Sequence, residues 1–227
     1  MFTGIINHIG TVLKIDKKLG SFGPEASIWV KTALKKVTKG DSVCVEGICL
    51  TVSGMKKNKK GTDIRFQASQ ETLDKTSLGS FKAGMEINIE PSLKVGDKLG
   101  GHFVQGHVDA AGKITRVIPQ GNSKLYWFSF PPELDPFLVP KGSAAVNGVS
   151  LTVVEIASGQ FSVSMLPYTE AETSFRSRKA GDPINLETDI LAKVAVKQMR
   201  SFSGKAGSME LYQKKIVTWE EISEEIL

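Results

Sequence analysis

The chain is written twice, and that duplication constrains its fold more than anything else in it. The stretch GICLTV, Gly47 to Val52, returns as GVSLTV, Gly148 to Val153, with Ser150 where Cys49 stood. FTGIINHIGTV from Phe2 resembles VQGHVDAAGKI from Val104, matching Gly4 to Gly106 and Gly10 to Gly112. KGDSVCVEGICLTV from Lys39 resembles KGSAAVNGVSLTV from Lys141. QETLDKTSLGSFKAGMEINIE from Gln70 resembles PYTEAETSFRSRKAGDPINLE from Pro167, keeping Thr72/Thr169, Thr76/Thr173, Ser77/Ser174 and an Asn-x-Glu ending. Three blocks in one order, each about a hundred residues from its copy, are the mark of a repeated structural unit.

Each unit reads as mostly strand. Short runs such as SIWVKT, SVCV, ICLTVSGM, IRFQA and EINIE alternate with turn signals at the spacing of sandwiches and barrels. Asn147-Gly148 between apolar runs signals a type I′ hairpin, and Glu46-Gly47 is its weaker counterpart. The threonine-rich segments Glu71 to Ser77 and Thr169 to Phe175 predict one short helix per unit. Closing each half as an antiparallel barrel removes the edge strands that invite aggregation. The spacing of Ile190, Val194, Lys197/Gln198 and Met199 or Phe202 predicts a helix after the second repeat, with an apolar stripe free to pack on other subunits. We therefore expect one barrel over 1–97, a second over 98–188, a helix over 189–203 and a tail over 204–227 that fits neither repeat.

Several function classes lose ground on composition. The formal charge of +5 sits partly in Lys56, Lys57, Lys59 and Lys60, between two strand-like runs, so it reads as a solvated hairpin tip. No arginine- and aromatic-interleaved stripe points to nucleic acid. No apolar run is long enough to span a membrane, and the N-terminus is not built like a secretory signal. Cys44 and Cys49 do not form a C-x-x-C, so a reducing cytoplasm is expected over a disulfide framework. Among His8, His102 and His107 no metal-ligand spacing occurs, and neither a Walker loop nor a dinucleotide G-x-G-x-x-G is present. No metal and no redox cofactor is expected.

The N-terminal MFTGI, the GGHFVQGHVD from Gly100, and the paired G-x-C-L-T-V and G-x-S-L-T-V together resemble riboflavin synthase of the α-subunit type, from Met1 to about Phe202. The resemblance implies an all-β fold of two tandem six-stranded antiparallel Greek-key barrels plus a C-terminal helix gathering three chains. It implies a transferase that converts two molecules of 6,7-dimethyl-8-ribityllumazine into riboflavin and 5-amino-6-ribitylaminopyrimidinedione by moving a four-carbon unit. It places each active site between the N-terminal barrel of one chain and the C-terminal barrel of a neighbour. The family also allows association with a lumazine synthase shell, for which this sequence carries no signature.

Within that resemblance, a dismutation needs two like pockets that differ in chemistry, and the repeats diverge at Cys49 against Ser150 and at Ile5 against His107. Holding two reactants in fixed geometry can supply up to ~7–11 kcal/mol of a barrier. Cys49 is expected to act on the ring as nucleophile or polar contact; an isolated strand cysteine would be packing, which is how Cys44 reads. His107 is expected to shuttle the methyl proton, His102 to support a turn, and His8 to lie at the surface. Ser42, Ser150, Thr51 and Thr152 bring hydroxyls to the rings, although strand threonines are common for propensity alone. Lys141 resembles a lysine that reaches the neighbouring chain's ligand. Asn147 stands where some members carry Asp and also suits a hairpin. Ring and ribityl recognition falls to Gly4, Ile5 and Ile6, to Cys49, Leu50 and Thr51, and to Gln67, Ala68, Ser69, Gln70, Glu71 and Thr72. In the second barrel it falls to Gly106, His107 and Val108, to Ser150, Leu151 and Thr152, and to Ser164, Met165, Leu166, Pro167, Tyr168 and Thr169. Backbone donors and acceptors on these segments suit a flat pteridine. The rival reading is a carrier of the same fold that binds lumazine or riboflavin without turnover. Such carriers lose residues of the second motif set, whereas His107, Lys141, Ser150 and Thr152 are kept here.

Overall fold

A computed structural model describes residues 1–20, 23–58 and 61–203. The tail beyond 203 and the Lys59–Lys60 hairpin tip, like the Phe202 side chain, lie outside the described residues. The first half runs β1 (His8–Gly20), β2 (Gly23–Thr32), β3 (Ser42–Val45), β4 (Ile48–Asn58), β5 (Gly61–Ala68), α1 (Gln70–Lys75) and β6 (Glu86–Pro91). The second half repeats it as β7 (Ala110–Gln120), β8 (Ser123–Ser129), β9 (Ser143–Val146), β10 (Val149–Ala157), β11 (Gln160–Met165), α2 (Pro167–Ala171) and β12 (Pro183–Thr188). Each half closes as an antiparallel six-stranded barrel, in the order β1-β2-β5-β4-β3-β6 and its image β7-β8-β11-β10-β9-β12. In both, three consecutive hairpin-linked strands lie beside the strand that precedes them, the Greek-key arrangement. The expected fold class stands.

The strands follow from alternation. In β5, Thr62, Ile64, Phe66 and Ala68 point inward and are buried, while their neighbours face out. Bulges fall at matching places, Val12/Lys14 with Ile114/Arg116 and Val52/Gly54 with Val153/Glu155, bending both sheets alike. The first core is aliphatic around Ile28, Val30, Ile64, Ile87 and Ile89, with Phe66. The second is aromatic: Phe128 and Phe161 rings lie 5.4 Å apart, and Tyr126 meets Phe175 edge-on at 5.5 Å. Truncating Phe66 or Phe161 to Ala should cost about 3–5 kcal/mol.

Each expected short helix is two pieces. α1 is followed by a 3-10 turn at Ser77–Ser80, and α2 by one at Ser174–Ser177. The break comes at Thr76 and Thr173, whose backbones are extended. The Thr76 side chain accepts from the Leu78 N–H, starting the second turn afresh. Both hairpins have the I′ form: Glu46 and Gly47 take φ of 50° and 81°, Asn147 and Gly148 of 50° and 78°.

The two barrels belong to one compact unit, residues 1–190. Their seam is a polar lattice with near two-fold symmetry. The Asn88 N–H donates to Glu46 Oε1 and the Asn185 N–H to Asn147 Oδ1. Crosswise, Asn88 Nδ2 donates to the Asn147 carbonyl and Asn185 Nδ2 to the Glu46 carbonyl. Asn88 Oδ1 then accepts from the Ser174 N–H, and Asn185 Oδ1 from the Ser77 N–H. These amides satisfy the backbone groups of the buried seam, while Asn147 Nδ2 has no hydrogen-bond partner among the described residues. Symmetry breaks at one point: Glu46 Oε2 lies 3.4 Å from the Arg178 guanidinium, with both side chains almost fully buried. Burial pushes the Glu46 carboxyl up, and Arg178 opposes that shift.

From Leu191 on, α3 (Ile190–Ser203) is the described part of a second unit. It is helical where the sequence predicts, and Leu191, Val194 and Met199 are exposed on it.

Candidate functional site

Two backbone arms cross between the barrels. Residues 2–6 precede β1 of the first barrel, yet the Gly4 carbonyl accepts from the Ser150 N–H of β10 at 2.8 Å. Residues 104–108 precede β7 of the second barrel, yet the Gly106 carbonyl accepts from the Cys49 N–H of β4 at 2.8 Å. The arms also pair with each other through Phe2 and Val104. Buried carboxylates fix them. Glu90, ending β6, accepts from the Thr3 N–H and Oγ1 (both 2.7 Å) and the Gly4 N–H (3.1 Å). Glu187, ending β12, accepts from the Gln105 N–H (2.6 Å) and Gly106 N–H (2.8 Å).

Glycine is obligatory at both crossings. Gly4 and Gly106 have φ of 75° and 76°, and a Cβ there would lie 2.7 Å from Cβ of Ser150 and of Cys49, respectively. Hydrophobic anchoring follows the same exchange: Val108 packs against the first barrel's core and Ile6 against the second's.

This exchange corrects how the site residues were expected to group. The sequence sets Cys49 with Gly4 to Ile6 and Ser150 with Gly106 to Val108. The structure pairs Cys49 with Gly106 to Val108, and Ser150 with Gly4 and Ile5. The thiol and the imidazole, expected to mark opposite pockets, thus line one cavity of about 260 Å³ with Ile48, Glu71, Thr72, Lys75, Thr76, Gly106 and Val108. Cys49 is half-buried and His107 exposed there. α1 brings its charged face: Lys75 Nζ bonds Glu71 Oε1 at 2.9 Å, and that bond holds the exposed Glu71 carboxyl down.

The other crossing carries different chemistry. His102 Nδ1 lies 2.7 Å from Ser150 Oγ and its backbone N–H donates to the Thr3 carbonyl, so His102 holds the serine and the first arm, not the expected turn. The ring is buried, burial lowers its pKa, and it is neutral at neutral pH. Its Nε2 has no hydrogen-bond partner among the described residues. Ile5, half exposed, occupies the place His107 takes at the first crossing. A cavity of about 450 Å³ runs from Ile5 along Thr3, Asn7, Glu90, Ser92, Asp97, Lys98 and Gly100.

The remaining expected residues divide. Thr51 and Thr152 are exposed, opposite the half-buried Ser42 and Ser143 in register. Leu50 and Leu151 point into the barrel cores, as do Ala68 and Met165, leaving only backbone for a ligand. Gln67 is exposed, Ser69 caps α1, and Gln70 bonds Asp74. Ser164 Oγ bonds Ser123 Oγ; Leu166, Pro167 and Tyr168 are exposed and Thr169 half-buried. Asn147 is wholly buried in the inter-barrel seam, away from both cavities' linings. Lys141 is exposed with φ of 70° and corresponds in the fold to Gly40. Both of their N–H groups donate to the equivalent carbonyls of Val153 and Val52. His8 is half-buried in β1. Sequence reasoning missed Glu90, Glu187, Lys75 and the His102–Ser150 contact; the repeated Asn-x-Glu ending was the available signal for the first two.

The signature of the lumazine binding domain matches residues 3–92 and again 105–189, so fold and site define a tandem pair of such domains. Curated riboflavin synthases are similar over most of their length. That of Actinobacillus pleuropneumoniae is 38% identical over 193 residues, covering 85% of this chain and 87% of that protein. That of Bacillus amyloliquefaciens is 39% identical over 197 residues, with coverage of 85% and 87%. That of Chlamydia pneumoniae is 35% identical over 211 residues, with coverage of 90% and 100%. The chain belongs to the riboflavin synthase family. Among solved structures, LumP complexed with riboflavin superposes with a TM-score of 0.72 at 20% identity, covering 83% of this chain and 99% of that one. LumP complexed with 6,7-dimethyl-8-(1'-D-ribityl) lumazine gives 0.69 at the same identity and coverage. At such identity the likeness speaks for the fold.

Proposed function

We propose that the chain is an enzyme that dismutates 6,7-dimethyl-8-ribityllumazine, passing four carbons between two molecules to give riboflavin and 5-amino-6-ribitylaminopyrimidinedione. The observation that carries this reading is the shared cavity of Cys49 and His107, set against a matching crossing that holds Ser150 and Ile5. Twin positions with unlike chemistry suit two copies of one substrate in unlike roles. His107 takes the proton of the acidic C7 methyl, and the ring itself spreads the charge left behind. The Cys49 thiol meets the ring at the same cavity, and the Ser150 hydroxyl, held by His102, serves the other crossing. Ser42, Thr51 and Thr152 add hydroxyls, while Gln67 to Thr72 and Ser164 to Thr169 frame ring and ribityl chain. No redox or metal cofactor enters this scheme.

The cavity of about 260 Å³ at the Cys49 crossing falls below the roughly 300–1,000 Å³ of ordinary ligand sites, which favours one pteridine there over two. The second is supplied across a subunit contact, in a homotrimer gathered by the apolar residues of α3, with Lys141 reaching the neighbour's ligand. The setting is the cytoplasm. Association with a lumazine synthase shell belongs to the same reading.

Incubation with dimethylribityllumazine should generate riboflavin fluorescence, and sedimentation should give a trimer. A carrier of the LumP fold is the second reading; a bound chromophore with no turnover would establish it instead.

A further inference from the structure

The repeat changes two opposed residues, not one. In the first barrel Cys44 on β3 stands directly across from Cys49 on β4, where the second barrel sets Ala145 across from Ser150. The tight turn at Glu46-Gly47 is closed by Val45 and Ile48, which makes Cys44 and Cys49 the next, non-hydrogen-bonded pair. The Cys49 N–H confirms this by donating to Gly106 and not to β3. Side chains of such a pair share one face, and both cysteines join the same apolar cluster with Phe2, Val104 and Ala145. Non-hydrogen-bonded partners have Cα atoms ~4.5 Å apart, inside the roughly 4.4–6.8 Å that a disulfide spans. Both thiols are free, Cys49 half-buried at the cavity and Cys44 buried beneath it.

We propose that Cys44 and Cys49 are a peroxide-responsive dithiol, in which Cys44 converts the oxidised site cysteine into a reversible intramolecular disulfide. The Cys49 thiolate attacks one oxygen of a hydroperoxide; the O–O bond breaks, sulfenic acid forms, and the departing hydroxide or alkoxide takes a proton. The Cys44 thiol then loses its proton and attacks the Cys49 sulfur, forming S–S and releasing the sulfenic oxygen as water. Two thiols lose two electrons and the peroxide gains them. Hydrogen peroxide is small enough for the cavity. Burial and then the Glu90 and Glu187 carboxylates push the Cys44 thiol well above its usual range, making the second step the slow one. Cys44 must also turn from the Gly47 N–H that its sulfur accepts from, a rotation about one bond. The disulfide holds Cys49 at an oxidation state that thiols reverse, where a solitary thiolate proceeds to sulfinic acid. Transient bridges of this kind are the ones found in reducing compartments.

The bridge itself needs only the two thiols; its effect on turnover rests on the function proposed above, so the readouts are kept separate. The full-length chain is treated with hydrogen peroxide, unfolded, alkylated and weighed, and turnover of dimethylribityllumazine is followed in parallel. Wild type should gain a species about 2 Da lighter with neither cysteine alkylated, and dithiothreitol should restore both thiols and nearly all lost activity. Cys44→Ala, which copies Ala145, should keep basal turnover. It should pass on peroxide to Cys49 sulfinic acid and regain at most about a tenth of its loss with dithiothreitol. An absent bridged species in wild type, or equal thiol recovery in both proteins, overturns the proposal. A bridge in a chain without turnover would leave the switch standing and remove the proposed activity.

Discussion

The two barrels share strand order, bulges and hairpin form, yet they are stabilised differently where they touch. The first barrel offers Glu46 to the seam and the second offers Asn147. Both accept from an asparagine N–H of the neighbouring strand, but only Glu46 brings charge, and Arg178 answers it where the first repeat has the apolar Phe81. The two crossings differ in the same sense: Cys49 with His107 on one, Ser150 with His102 and Ile5 on the other. Duplication conserves what backbone geometry demands and frees the side chains that chemistry needs to be unequal.

The charged point of the seam can be broken most forcefully. Arg178→Ala leaves Glu46 as an uncompensated buried carboxylate, so chemical denaturation should reveal a loss of about 3–5 kcal/mol. Converting the site to the other barrel's solution, Glu46→Asn with Arg178→Phe, should recover nearly all of it; a double variant as weak as Arg178→Ala would show that the asymmetry is not electrostatic. Next comes the reacting side. His107→Ala should lower kcat about 10²-fold with lumazine affinity nearly intact, and Cys49→Ser should lose most turnover while still binding. Ile5→Ala, at the matching position, should cost far less, and equal losses at Ile5 and His107 would undo the proposed division of labour.

Weaker effects sharpen the comparison. Burial holds His102 below its ordinary value of 6.5, so on acidification the unfolded chain takes up that proton first. Stability from this group is therefore complete above pH 6.5 and falls as pH drops through the lowered folded value. The buried carboxyls of Glu46 and Glu90, raised in the fold, act in the opposite direction but are common to both proteins. Thermal melts of His102→Gln should show a shallower decline below pH 6.5 than wild type. Smallest is Lys124→Ala: its 2.7 Å bridge to Glu170 is partly exposed, and a double-mutant cycle should give no more than about 1 kcal/mol.

Much of this was legible in the chain. Alternation such as that of Ile64 and Phe66 marked the strands, Asn147-Gly148 marked a hairpin, and the repeat marked two barrels. The exchange of arms was not legible, because Gly4 and Gly106 signal close approach without saying to which surface. Only a tertiary partner, the N–H of Ser150 or Cys49, decides it. His102 escaped for a related reason: it precedes the aligned blocks and has no counterpart in the first repeat to compare with. Asn147 carries two meanings in one residue, a turn former by propensity and a buried seam ligand by position, and sequence displays just the first.

The crossed arms carry a consequence for how such a molecule could be divided. A cut in the linker after Pro91 would leave one fragment without the strap that covers Cys49 and the other without the strap that covers Ser150. Neither piece would own a whole crossing, and each would expose the groove its sibling fills. Two such fragments should seek one another out, or a second copy of themselves.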